Sequence, residues 1–227
     1  MPKSTNYADN WFKLLDVNTA YANVGDAGGL QPSAAPGNLY VSLHTGDPGL
    51  TGDQTANEAT YTGYLRVAVP RSAAGWTVAG NQVSNTANVT FAVCTALSSV
   101  VTWVGVGTAA AGVGQLLYAF PLIQTYSAFF ATVAGNLFYQ ASGLATLTPI
   151  QLLTAPGGSL PGGFSQGVTY FVKTVAGDTC TVSALSGGAD ITVVTHGSGL
   201  LGQLSSLSVV AGITPQFLAG QLVISEV

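Results

Sequence analysis

From Ser72 to Val172 the chain carries no Asp, Glu, Lys or Arg, yet the same stretch is punctuated by Gly, Pro and uncharged polar residues. A membrane span needs an apolar run of about 18 residues. The least polar part, Val100 to Ala134, is interrupted by Gly105, Gly107, Gly112, Gly114 and Pro121. Short apolar runs bounded by turn residues read instead as β-strands, and strands recurring every ~8–12 residues predict an all-β chain built as a β-sandwich or jelly roll.

Charge decides what such a chain is for. Only 6% of residues are charged, against a usual ~25%. A surface so poor in solvating charge is expected to be covered by other protein chains. Net charge is −4 from five bases and nine acids, which excludes the electrostatic footprint of a nucleic-acid binder. Cys94 and Cys180 are far apart with no CxxC pair, and the polar Pro2–Asn6 start is not that of a signal peptide. They read as two buried free thiols in a chain made in the cytoplasm.

The spacing predicts a helix over 4–24, capped by Ser4, Thr5 or Asn6 and carrying the stripe Trp11, Phe12, Leu14, Leu15 and Val17. One short helix cannot bury that stripe alone, so Trp11, Phe12, Leu14 and Leu15 form a candidate interface with a neighbouring subunit or with the chain's own β domain. Gly25 to Gly37 reads as an ordered loop or extended arm. Leu39–His44 alternates as a strand, with Tyr40, Ser42 and His44 on its polar face. Thr45-Gly46-Asp47-Pro48-Gly49 is a turn, and 50–62 is a polar loop with a helical turn at Asn57-Glu58-Ala59. A second alternating strand runs from Tyr64 to Val69. Further strands are expected at 76–78, 82–83, 89–91, 100–106, 116–120, 207–210 and 222–224, with the apolar run 123–134 extending the sandwich. Near Asn136 the texture changes. The Pro/Gly-rich Thr154–Gly163 precedes strands at 167–173, 179–183 and 189–192, joined by tight turns at Ala176-Gly177-Asp178 and Gly187-Gly188. The expected division is an N-terminal helix and arm (1–36), a β-sandwich or jelly-roll domain (37–136 plus 203–227), and a small antiparallel β module inserted at 137–202.

No catalytic constellation is visible. Neither His44 nor His196 lies in a nucleophile motif, and Gly197-Ser198-Gly199 lacks the G-x-S-x-G spacing. Asp47, Asp53 and Glu58 lie within a dozen residues, the residue type of a glycosidase acid pair or of calcium ligands. They read better as turn carboxylates capping backbone, and the spacing is not that of an EF-hand. Two histidines and two isolated cysteines provide no zinc motif. The reading is a non-enzyme with no metal, cofactor or small-molecule substrate. Arg66 is the informative charge. Half-buried in a β domain, it needs a carboxylate, and Glu58 and Asp47 lie upstream. Arg66 paired to Glu58 or Asp47, with His44 bonded to loop backbone, would pin the long loop to the sheet.

The run Leu43-His44-Thr45, Asp47-Pro48-Gly49, Asn57-Glu58, Tyr61, Tyr64 and Arg66 resembles a family of tailed-bacteriophage virion proteins. The downstream Trp76, Asn81, Phe91, Gly105-Val106-Gly107, Leu116-Leu117-Tyr118 and Thr214–Gly220 carry the same resemblance, over 5–135 and 205–227. The insert's GVTYFVK, GDTCTVS and SGGADI rhythm is similar to small β modules of phage structural proteins. The resemblance implies a structural virion part, assembled in the host cytoplasm, with no catalytic residues to transfer. The leading expectation is a capsid cement or decoration protein that bridges shell subunits, its partners the major capsid protein and copies of itself as a dimer or trimer. The alternative is a tail- or fibre-associated protein contacting other tail proteins or a host glycan.

Overall fold

In the computed structural model the residues described are 4–25, 29–132, 137–139, 144–154, 158–166 and 168–225. One helix, α1 (Thr5–Asp16), precedes β1 (Asn38–His44), β2 (Val67–Pro70), β3 (Trp76–Ala79), β4 (Gln82–Asn85), β5 (Val89–Thr90), β6 (Ser99–Val101), β7 (Trp103–Gly107) and β8 (Leu116–Pro121). Then follow β9 (Ile123–Ala131), β10 (Leu137–Tyr139), β11 (Pro149–Thr154), β12 (Thr169–Ala176), β13 (Thr179–Ser183), β14 (Gly197–Leu204), β15 (Leu207–Val209), β16 (Gln216–Phe217) and β17 (Val223–Ser225). The fold is all-β with antiparallel sheets. No helix among the described residues is long and apolar enough to cross a membrane.

The chain forms two compact units, 1–120 with 207–227, and 121–206. In the first, β1 is an inner strand of the four-stranded sheet β2-β1-β7-β8, with Leu39 opposite Val69 and Leu43 opposite Val104. Leu39, Val41, Leu43, Val104 and Val106 are buried, each such side chain contributing about 1.5–3 kcal/mol. The polar face of β1 is buried as well: Ser42 and His44 are fully enclosed. Smaller sheets β17-β4-β3, β15-β6 and β16-β5 bring the C-terminal strands back to the first unit.

The second unit is a closed barrel, β10-β13-β12-β11-β14-β9. Closure removes the exposed edges that a small open module would present. Its core gathers Leu137, Ile150, Leu152, Val172, Val182 and Leu201. Gly177, at φ +58°, starts the two-residue loop between Ala176 and Thr179, where a hairpin needs left-handed backbone. Lys173 pairs with Asp190 on its surface. The stretch 123–134, expected in the larger domain, departs from that reading. Over its described part it is β9, paired along β14 from Ile123–Leu204 to Ala131–Gly197. Long apolar strands pair wherever a long partner runs beside them, and periodicity does not say which. In place of the strand expected at 189–192 there is one bridge, Asp190 to Ser183. Residues 133–136, 140–143 and 155–157, which hold part of the expected boundary and of the Pro/Gly-rich segment, lie outside the described residues.

The helix is shorter than its apolar content suggests. Ser4 caps it, accepting from Tyr7 N at 3.2 Å. It ends at Asp16 because Asn18 adopts φ +54° and both Val17 N and Thr19 N bond to Lys13 O. Its buried face is Ala8, Phe12 and Asp16, at i, i+4 and i+8, set on β3 and β4 of the same chain. Phe12 lies against Tyr118 at 6.3 Å between ring centroids and is fully buried, so of the two covers expected for the stripe, a neighbour or the chain's own β domain, Phe12 takes the second. Trp11, stacked on Tyr7, and Leu14 and Leu15 are half-buried. Both cysteines are free and buried.

Candidate functional site

A dense polar arrangement lies where the loop 45–62 meets the end of β1. Arg66 is its centre. The guanidinium donates from Nε to Glu58 Oε1 at 2.7 Å and from Nη2 to Glu58 Oε2 at 2.8 Å. It also donates from Nη1 to Ala109 O at 2.9 Å and from Nη2 to Gly112 O at 2.8 Å. One side chain thus holds two loops, 45–62 and 109–112. The Arg66 side chain is 2% exposed and that of Glu58 16%. The hydrogen bonds to Glu58 hold Arg66 above the usual arginine range against the opposing effect of burial.

Tyr64 connects this pair to the sheet. Its hydroxyl donates to Glu58 Oε1 at 2.9 Å and accepts from Leu43 N at 3.0 Å. Burial pushes the Tyr64 hydroxyl far above its ordinary value, so it stays a neutral donor. His44 closes the other side. Its Nδ1 lies 2.8 Å from Ala56 O and its Nε2 2.8 Å from Ser42 Oγ. A carbonyl only accepts, so Nδ1 carries the hydrogen and Ser42 donates to Nε2. Burial lowers the His44 pKa, which keeps this neutral tautomer. Backbone bonds complete the attachment: Thr45 N to Asn57 O at 2.7 Å and Ala59 N to Leu43 O at 2.9 Å, with a bridge between His44 and Glu58.

Asp47 takes a different place. Its carboxylate accepts from Gly49 N at 2.8 Å within its own turn, and its carbonyl accepts from Asn57 Nδ2 at 2.7 Å. Of the two carboxylates considered for Arg66, Glu58 is the partner and Asp47 shapes the turn. Asp53 likewise caps Thr55 N at 2.7 Å. The three acids are thus engaged separately, and among the described residues no group of three His, Cys, Asp or Glu converges to hold a metal ion.

Two local assignments change. The turn in the loop spans Gln54–Asn57, upstream of the Asn57–Ala59 expected, because Asp53 caps it. Tyr64 to Arg66 is not strand: Tyr64 N bonds to Tyr61 O in a turn, and β2 starts at Val67. The alternation of Tyr64 and Arg66 nonetheless puts both side chains on the loop-holding face. Gln54, fully buried with Oε1 accepting from Ala109 N at 3.0 Å, was not singled out from the sequence; a lone Gln in a polar loop carries no signal of burial. In the sequence Gly105 reads only as a break in an apolar run. A Cβ there would meet His44 Nε2 at 2.6 Å and Ser42 Oγ at 2.7 Å, so glycine is what lets β7 pass beneath the histidine.

The donors and acceptors of Arg66, Glu58, Tyr64 and His44 are used on one another, on Ser42 and on backbone groups, an arrangement for fixing loops, while the buried Gln54 Nε2 is left without a hydrogen-bond partner. A family model described as podophage GP4 fiber I protein gp80 matches residues 24–142, just over half of the 227-residue chain. The match takes in the pinned loop and the strands from β1 to β10; α1 and the segment 205–227, where resemblance was also expected, lie outside it. No curated protein matches the chain. The chain belongs to the podophage GP4 fiber I protein gp80 family and is a structural component of a phage virion.

Proposed function

We propose that the protein is a fibre- or tail-associated structural part, the alternative of the two virion roles expected from the sequence, and not the capsid cement that was the leading one. The observation that carries this reading is the match of residues 24–142 to a podophage fibre protein family. The pinned loop supports it, because a building block that transmits position to neighbours needs loops held in one geometry. Exposed apolar side chains in each unit, such as Leu97 at 73% and Leu185 at 73%, support contacts with other protein chains. The partners in this reading are copies of itself and other tail proteins, and the role involves no catalytic step, metal or cofactor.

Separating heads from tails tests it. The protein is expected in the tail fraction at a few to a few dozen copies per virion. Recovery on heads in hundreds of copies would overturn the proposal and restore the cement reading.

A further inference from the structure

The end of α1 holds a carboxyl group that the loop-pinning role does not use. Asp16 is fully buried, and its Oδ1 has no hydrogen-bond partner. Its Oδ2 accepts only from the Tyr118 hydroxyl, at 3.3 Å. Arg71 stands nearby, but its donors go elsewhere: Nε to Leu15 O at 2.6 Å, Nη2 to Leu14 O at 3.0 Å, and Nη1 to Pro36 O at 3.2 Å and Ser33 Oγ at 3.3 Å. The arginine caps the C-terminal carbonyls of the helix, a favourable place for a cation. It gives Asp16 no hydrogen bond. An acid in the last turn also sits at the negative end of the helix dipole.

We propose that Asp16 is a pH-sensitive latch on the N-terminal helix: protonated, it lets α1 stay seated on the first unit, and ionised, it loosens that seat. Deprotonation releases the proton to solvent and leaves a buried anion with one long hydrogen bond. Undocking returns that anion to water, so the charged form favours the released helix. Among the described residues, two titratable groups act on it. Tyr118 comes from β8 and Arg71 from the residue after β2. Strands β3 and β4, on which the helix rests, contain no titratable side chain. On the helix itself, Lys13 pairs with Asp9 at 2.7 Å. Burial raises the Asp16 pKa to about 7, against the lowering effects of the Tyr118 hydrogen bond and the Arg71 charge. The docked helix therefore binds the proton more tightly than a free one. Docking is strongest below the ordinary Asp range near 3.8 and is lost as pH rises to about 7.

Release would free Phe12 and Ala8, the apolar face now covered by the chain itself, for another surface.

Amide hydrogen exchange of the full chain between pH 4.5 and 8, corrected for intrinsic rates, tests this. Protection of α1 relative to β1 and β7 is expected to rise as pH falls, by up to about ten-fold per pH unit, the limit for one linked proton. Asp16→Asn should keep α1 protected and abolish that slope. Tyr118→Phe, which removes the one hydrogen bond to the anion, should move the midpoint to higher pH. A pH-independent wild type, a slope that survives Asp16→Asn, or a Tyr118→Phe midpoint that stays put or falls would each overturn the latch. Should Asp16→Asn fail to fold, the wild-type slope and Tyr118→Phe decide it.

Discussion

Glu58 and Arg66 are joined by two parallel hydrogen bonds, Nε to Oε1 at 2.7 Å and Nη2 to Oε2 at 2.8 Å, across only eight positions of sequence. Arg66→Ala leaves a carboxylate without its partner and strips donors from Ala109 O and Gly112 O. The expected cost is about 3–5 kcal/mol, the range for breaking a buried pair from one side. Arg66→Lys should recover little, because an ammonium cannot reproduce the fork. Denaturant midpoints of the three proteins check both statements; an Arg66→Ala protein as stable as wild type would show that the pair does not hold the loop.

His44 makes the first unit sensitive to acid. Its folded pKa is below the usual 6.5 because burial disfavours the imidazolium. Its contribution to stability is full above 6.5 and is lost as pH falls through the folded value. NMR titration of the His44 ring should give a midpoint below 6.5, with first-unit stability declining over the same window. Asp16 acts in the opposite direction on the helix alone, so helix docking should tighten while the sheet weakens.

Gly105→Ala is expected to destabilise the first unit by about 1–3 kcal/mol, the usual range for overpacking. The added methyl falls within 2.6–2.7 Å of His44 Nε2, Leu116 Cδ1 and Ser42 Oγ, all of them held side chains. A stability curve identical to wild type would mean that β7 and β1 separate freely there.

Residues 121–206 should fold when produced alone. The barrel has its own core, and its flanking segments already meet, with Ser205 N bonded to Leu122 O at 2.7 Å. The check is a single cooperative thermal transition together with protection of Cys180 from alkylation. Burial pushes that thiol up to about 12, which keeps it protonated and unreactive until the barrel opens. Immediate full labelling would count against an autonomous barrel.

Local chemistry was legible wherever one segment decides its own shape. The Leu39–His44 alternation, the Asp47-Pro48-Gly49 turn and the Gly177 hairpin depend on neighbours in sequence. The choice between Glu58 and Asp47 was not legible from spacing. It rests on Asp47 bonding within its turn and on the His44–Glu58 bridge, which brings Glu58 beneath Arg66. The barrel was read as a small antiparallel module, but its closure rests on β9 meeting β10 and β14, and the β14 pairing spans more than sixty residues. The helix end went unseen because Asp16 follows Phe12 by one helical repeat. An acid inside a buried stripe reads as the stripe's solvated flank until its surroundings are known.

Strands β3 to β11 carry no Lys or Arg, and this has a practical consequence for weighing a virion. Trypsin finds no cleavage site between Arg71 and Lys173, so strands β3 to β8 of the first unit and half the barrel leave the digest as one long, apolar fragment. Peptide-counting surveys that rely on trypsin will undercount this protein against its lysine-rich neighbours. Chymotrypsin, or staining of the intact band, gives the stoichiometry that distinguishes a fibre part from a shell part.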